Sequence, residues 1–181
     1  MMRKFAAMML GVALGMAGAA APEAQESTNR VATEKAWAVF VGSNPTECWA
    51  TTTPEKQVNT RGGRPVNVRR GKTALFVTFR PSSGSAGEVS FTGGYPYADG
   101  ALVRLEVDGE KVADLFTKGE WAWSPSPEDD KRIIAAFKRG VKAVAIGTSK
   151  RGTRTEDTFS LLGFTAALNE AARRCGMKPP A

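Results

Sequence analysis

Hydrophobic and polar positions alternate over short distances through most of the chain, and several runs read as strands. In "TALFVTFRP", residues 73–81, apolar and β-branched positions run into a proline, which marks a strand and its end. "AWAVFV", residues 36–41, stops at the turn cluster Gly42-Ser43-Asn44-Pro45, and a further strand is expected near Cys48-Trp49-Ala50-Thr51. "RPVNVRRG", residues 64–71, sets Val66 and Val68 against Asn67 and Arg69, the pattern of a half-buried strand. "GEVSFTGGYPY", residues 87–97, places Val89 and Phe91 on one face before Gly93-Gly94 interrupts it. The strongest local signal is "ALVRLEVDGEKVADLF", where two strand-like runs flank Asp108-Gly109, a two-residue hairpin turn.

Two stretches change to the helical period. Ser126 suits an N-cap and Pro127 a first helical position; Glu128, Asp129 and Asp130 favour the positive end of the helix dipole, and Gly140 ends the helix. Ile133, Ile134 and Phe137 form its buried stripe. "VKAVAIGTSKRGTRTEDTFSL" then predicts strand, turn near Arg151-Gly152, and strand. In "GFTAALNEAARRC" the residues Phe164, Ala167, Leu168 and Ala171 recur at helical spacing, so a C-terminal helix ends at Cys175. Short strands at regular spacing predict a mainly β fold: an antiparallel β-sandwich or barrel-like single domain with two α-helices, one of them C-terminal.

At the start of the chain Arg3 and Lys4 precede an uncharged run, residues 5–21, that ends in small residues. This is the layout of a secretory signal peptide, residues 1–24, with cleavage expected between positions 19 and 24. The run is too short and too rich in Gly and Ala for a membrane anchor, and no later stretch is long enough to span a bilayer. Residues 25–35 are expected to be a flexible mature N-terminus, 36–176 the folded domain, and 177–181 a tail. The expected address is periplasmic, secreted or outer-membrane-associated.

Histidine is absent from all 181 residues. A Ser-His-Asp triad, a Cys-His pair and the usual histidine zinc sites are therefore excluded. The chain has 2 cysteines, too few for a four-thiolate zinc site, and no C-x-x-C redox motif. In an exported protein an even cysteine count points to a disulfide, here Cys48–Cys175, joining the last helix to an early strand; two separate thiols are the alternative. Glu47, Glu120, Glu156 and Asp157 have no partner visible in the sequence, so no catalytic residue is nominated and no cofactor is expected.

The formal net charge is +7, and its placement is uneven. No acidic residue lies between Glu55 and Glu88, whereas Lys56, Arg61, Arg64, Arg69, Arg70, Lys72 and Arg80 all do. Arg61, Arg64, Arg69, Arg70 and Lys72 are candidates for binding an anion, such as the phosphates of anionic lipid or lipopolysaccharide. Charge runs are more often solvated faces that blunt a sheet edge against aggregation. Nucleic acid is a poor partner for an exported chain of modest charge. The "GGYPY" and "EWAWSP" stretches read as loops, and Tyr95, Tyr97 and Trp121 are candidates for an aromatic binding surface, although core and rim packing is the commoner role.

The segments "NPTECWA", "LFVTFRP", "GEVSFTGGYPY", "GEWAWS" and "DTFSLLGFTAALNEAARRC" together resemble the invasion-associated locus B family of exported bacterial proteins. The resemblance runs from about Ser27 to Cys175. It implies a small, mostly β envelope-associated domain without established enzymatic activity; a role in host-cell invasion does not transfer with it. The leading expectation is a non-catalytic envelope binding or interaction protein, not integral to the membrane, whose partner is an anionic lipid, lipopolysaccharide or an outer-membrane protein. The alternatives are an envelope-polymer hydrolase using carboxylates, or a scaffold or chaperone-like partner of an outer-membrane assembly.

Overall fold

The computed structural model describes residues 29–43 and 46–181. The segment read as a signal peptide, together with Asn44 and Pro45 of the expected turn, lies outside the described residues. The strands are β1 (Arg30–Glu34), β2 (Trp37–Gly42), β3 (Glu47–Thr52), β4 (Lys56–Arg61), β5 (Arg64–Pro65), β6 (Ala74–Arg80), β7 (Ser85–Thr92), β8 (Leu102–Val107), β9 (Glu110–Lys118), β10 (Trp121–Trp123), β11 (Lys142–Thr148) and β12 (Arg154–Ser160). Helix α1 spans Pro127–Arg139 and α2 spans Phe164–Arg174.

All the described strands pair antiparallel in one 12-stranded sheet, in the order β1-β2-β3-β6-β7-β10-β9-β8-β11-β12-β4-β5. A twisted sheet of this width rarely stays open and flat. It folds over, so that Phe91 of β7 and Phe159 of β12, far apart in the strand order, meet edge to face with ring centroids 5.9 Å apart. The Trp37 indole N–H donates to the Ser160 carbonyl at 3.0 Å, closing β2 onto the end of β12. The result is the expected sandwich-like β domain.

Alternation decides which face each side chain takes. On β3 Cys48 and Ala50 are buried while Trp49 is half-buried on the other face; on β6 Leu75, Val77 and Phe79 point inward. The helices pack over the inward face of the first half of the sheet, α2 on β1, β2, β3, β6 and β7, and α1 on β7 and β9. Phe164 is the hub there, meeting Trp37 at 4.9 Å and Phe137 of α1 at 5.2 Å. Cys48 and Cys175 form a disulfide across 127 residues of sequence, fixing the end of α2 to β3.

Helix α1 begins as its sequence predicts. Ser126 Oγ accepts from the Asp129 N–H at 3.1 Å, Pro127 opens the first turn, and three acidic residues occupy it. Asp130 fastens this end to the sheet by accepting from the Val89 N–H at 2.8 Å and from the Ser124 hydroxyl. Burial raises its carboxyl above the usual carboxylate range. The Asp108-Gly109 turn takes the left-handed conformation at both residues, with φ of 49° and 89°, as a two-residue hairpin requires.

Three local expectations are corrected. The described part of the N-terminal segment expected to be flexible contains β1, which pairs with β2 as an edge strand. Of the strand expected over 64–71, only Arg64–Pro65 joins the sheet; the remainder crosses the surface irregularly, held by the Val66 N–H to Asn59 O (3.0 Å) and the Gly71 N–H to Gly94 O (2.8 Å). "EWAWSP" is not a loop throughout, because Trp121–Trp123 pair on both sides, with β7 and with β9.

Candidate functional site: a basic groove

Because segment 66–71 leaves the sheet, it forms a wall. Opposite stand the turn at 94–96 and the turn at 149–153, tied together by the Lys150 N–H to Pro96 O at 2.9 Å. Between them lies a groove of about 820 Å³, into which Arg61, Arg69, Arg70, Lys150 and Arg151 project along with Tyr95, Thr153 and Thr155, and no carboxylate lines it. The size is that of a small-molecule site. Arg61, Arg69, Lys150 and Arg151, with no acid lining the groove beside them, make its local field positive.

The cations differ in what they are free to do. Arg70 is held in the groove floor: its guanidinium makes two bonds to Asp157, of 2.6 and 2.7 Å, donates to the Gly93 carbonyl at 2.8 and 3.0 Å, and lies 5.0 Å from the centre of the Tyr95 ring. Arg61 is anchored more lightly, donating to the Thr153 hydroxyl at 2.7 Å. Arg69, Lys150 and Arg151 are exposed, with no carboxylate at ion-pair distance among the described residues. Three exposed cations thus stand above a guanidinium whose N–H groups are already spent on Asp157, Gly93 and Asn59, and exposed Arg and Lys side chains are the donors that charge-assisted hydrogen bonds use.

The sequence-selected residues divide. Arg61, Arg69 and Arg70 come together at the groove, whereas Arg64, opposite Arg61 in the β4–β5 pair, and Lys72 do not line it. Lys150 and Arg151 were missed, since the signal of a charge run is local and these two arrive from a turn some 80 positions later. Among the aromatic candidates, Tyr95 lines the groove and its hydroxyl bonds Thr155 Oγ1 at 2.6 Å. Burial raises the Tyr95 phenol above its ordinary value. Tyr97 is 5% exposed and therefore belongs to the core rather than to a surface. Burial pushes the Tyr97 phenol far above its ordinary value. Trp121 stands on the outward face of β10, away from the groove. No group of three or more acidic, cysteine or histidine residues that could hold a metal occurs among the described residues.

Residues 37–172 match the family model of the Invasion associated locus B (IalB) protein. The chain belongs to the IalB family. Neither a curated protein nor a solved structure matches it. The IalB match spans the groove, from Arg61 to Thr155, and includes Cys48 of the disulfide, while Cys175 lies three residues beyond its end. IalB membership suggests an exported bacterial envelope-associated protein, and a disulfide fits an extracytoplasmic location. No helix among the described residues is long and apolar enough to cross a membrane.

Proposed function

We propose that this IalB protein is a non-catalytic binding protein of the bacterial envelope, and that its basic groove takes the phosphate groups of anionic lipid or lipopolysaccharide. The observation that carries the reading is the convergence of Arg61, Arg69, Lys150 and Arg151 on a groove lined by no acid. A Lys or Arg near an anionic membrane surface contributes about 1 kcal/mol. The Arg69→Ala/Arg151→Ala pair is therefore expected to weaken binding to phosphatidylglycerol vesicles by about 2 kcal/mol, roughly 30-fold. Phosphatidylcholine vesicles serve as the uncharged control, and purified lipopolysaccharide as a second arm that separates the two phosphate sources. Equal affinity of wild type and double variant in both anionic arms would remove the groove from the proposal.

One observation favours the rival reading of a carboxylate hydrolase: Glu47 and Glu88 both accept from Arg80, at 2.9 and 2.8 Å. Release of reducing ends from envelope polysaccharide, lost in Glu47→Gln, would replace the non-catalytic reading.

A further inference from the structure

The outward face of the first half of the sheet carries a second concavity, which shares no residue with the basic groove. Cross-strand register builds it. Phe76 of β6 stands opposite Ser90 of β7, and Ser90 opposite Trp123 of β10. On the flanking pairs Trp49 faces Thr78, and Thr92 faces Trp121. Large rings on β3, β6 and β10 thus flank small hydroxyl side chains on β6 and β7, and the difference in size leaves a trough of about 320 Å³.

The rings brace one another. Phe76 and Trp121 meet at 5.4 Å between centroids, Trp121 and Trp123 lie at 6.2 Å and 22° to each other, and Trp123 and Phe116 at 5.6 Å and 28°. Trp121 is 39% and Phe116 45% exposed, a substantial aromatic area to leave in water on a sheet whose opposite face already holds the core. At one end Arg80 bridges Glu47 and Glu88, and all three side chains remain about one-third exposed.

We propose that this trough binds the uncharged sugar rings of a glycan. The occupant must satisfy two kinds of surface at once. An acyl chain or an apolar peptide side chain would cover the rings but desolvate the Thr78 and Ser90 hydroxyls and the Arg80 cluster without replacing their hydrogen bonds. Charge argues against an anion: the one guanidinium lining the trough, Arg80, is already shared by two carboxylates, Glu47 and Glu88, so no positive charge there is left unbalanced, and a cation is the rival that the tetramethylammonium arm below tests. A pyranose ring presents C–H faces to aromatic side chains and hydroxyl groups at its edge, where Glu47 and Arg80 can accept and donate.

The test uses the mature protein titrated with cellotetraose, maltotetraose and the N-acetylglucosamine tetramer, read by tryptophan fluorescence and calorimetry. At least one tetramer is expected to bind with Kd of about 1 mM or tighter. Trp121→Ala and Trp123→Ala should each weaken that binding roughly tenfold, with Trp123→Phe restoring part of it, while far-UV circular dichroism shows each variant folded. Arg69→Ala/Arg151→Ala should leave sugar binding unchanged, so failure here and failure of the anion reading are separate results. No tetramer bound at several times that concentration, binding indifferent to Trp121→Ala, or capture of tetramethylammonium or an apolar peptide in place of sugar would each overturn the proposal.

Discussion

Arg70 and Asp157, 87 residues apart in sequence, meet through two N–H···O bonds of 2.7 and 2.6 Å with their side chains 7% and 0% exposed. A buried pair of this kind gives little net stability over an apolar substitute, yet removing one partner strands the other charge in the interior. Asp157→Ala is therefore expected to cost about 3–5 kcal/mol, measured by urea denaturation. Arg69→Ala, on the solvent side of the same dipeptide, should stay within about 0.5 kcal/mol of wild type. Equal losses in the two variants would contradict the division of Arg69 and Arg70 between groove mouth and groove floor.

That division also marks how far the sequence could be read. The strands with clean alternation, β6 and the β8–β9 hairpin, and the helix with a full set of caps, α1, declare themselves through local rules. Strand β4 does not: "KQVNTR" is mostly polar, and it becomes a strand because β12, about a hundred residues later, offers it a ladder from Lys56 to Thr60. Segment 66–71 has the valine alternation of a strand but spends its N–H groups on Asn59 and Gly94 instead of a neighbour's ladder. In the site, Arg69 and Arg70 are indistinguishable as letters, and only the fold shows that one of them already has its carboxylate. Trp121 was legible as an aromatic candidate, whereas its contact with Phe76 depends on strand order.

Reduction of the Cys48–Cys175 bond should destabilise the domain. The bond joins β3 to the end of α2, so its loss frees a long loop in the unfolded chain and lets the helix end detach. The expected loss is about 2–5 kcal/mol, a fall in Tm of roughly 5–20 °C, read by comparing melts with and without reductant. Cys48→Ala/Cys175→Ala should melt with the reduced protein. A reductant effect that persists in that double variant would show that the disulfide is not its cause.

Glu170 gives a pH-dependent term of known sign. Its carboxylate accepts from Arg173 and Arg174 on the next turn of α2, and those bonds lower its pKa from the ordinary 4.5 to about 2. A depressed folded pKa stabilises the fold above the unfolded value, and the contribution disappears as pH falls from 4.5 through about 2. The cluster is at the surface, where solvent screens it, so Glu170→Gln should cost no more than about 1 kcal/mol at neutral pH. The difference between variant and wild type should shrink toward zero near the bottom of that window, as followed by denaturation at a series of pH values. A difference that grew on acidification would reverse the assignment.

Gly94 links the backbone to the groove. It sits at φ +70°, and a Cβ there would fall 2.5 Å from the Gly71 carbonyl oxygen. Gly71 in turn donates its N–H to Gly94 O at 2.8 Å, the bond that holds segment 66–71 and its Arg69 against the rest of the site. Gly94→Ala thus adds both left-handed strain and a backbone clash, and the segment must move outward to relieve it. The expected outcome is a stability loss of about 1–3 kcal/mol together with weaker binding to anionic vesicles, although no charge has been altered. Gly100→Ala is the matched control: its φ is +71° and no atom lies within 4 Å of the added Cβ, so it carries the conformational strain without the clash. If both variants bind anionic vesicles equally, the position of the 66–71 wall does not govern binding.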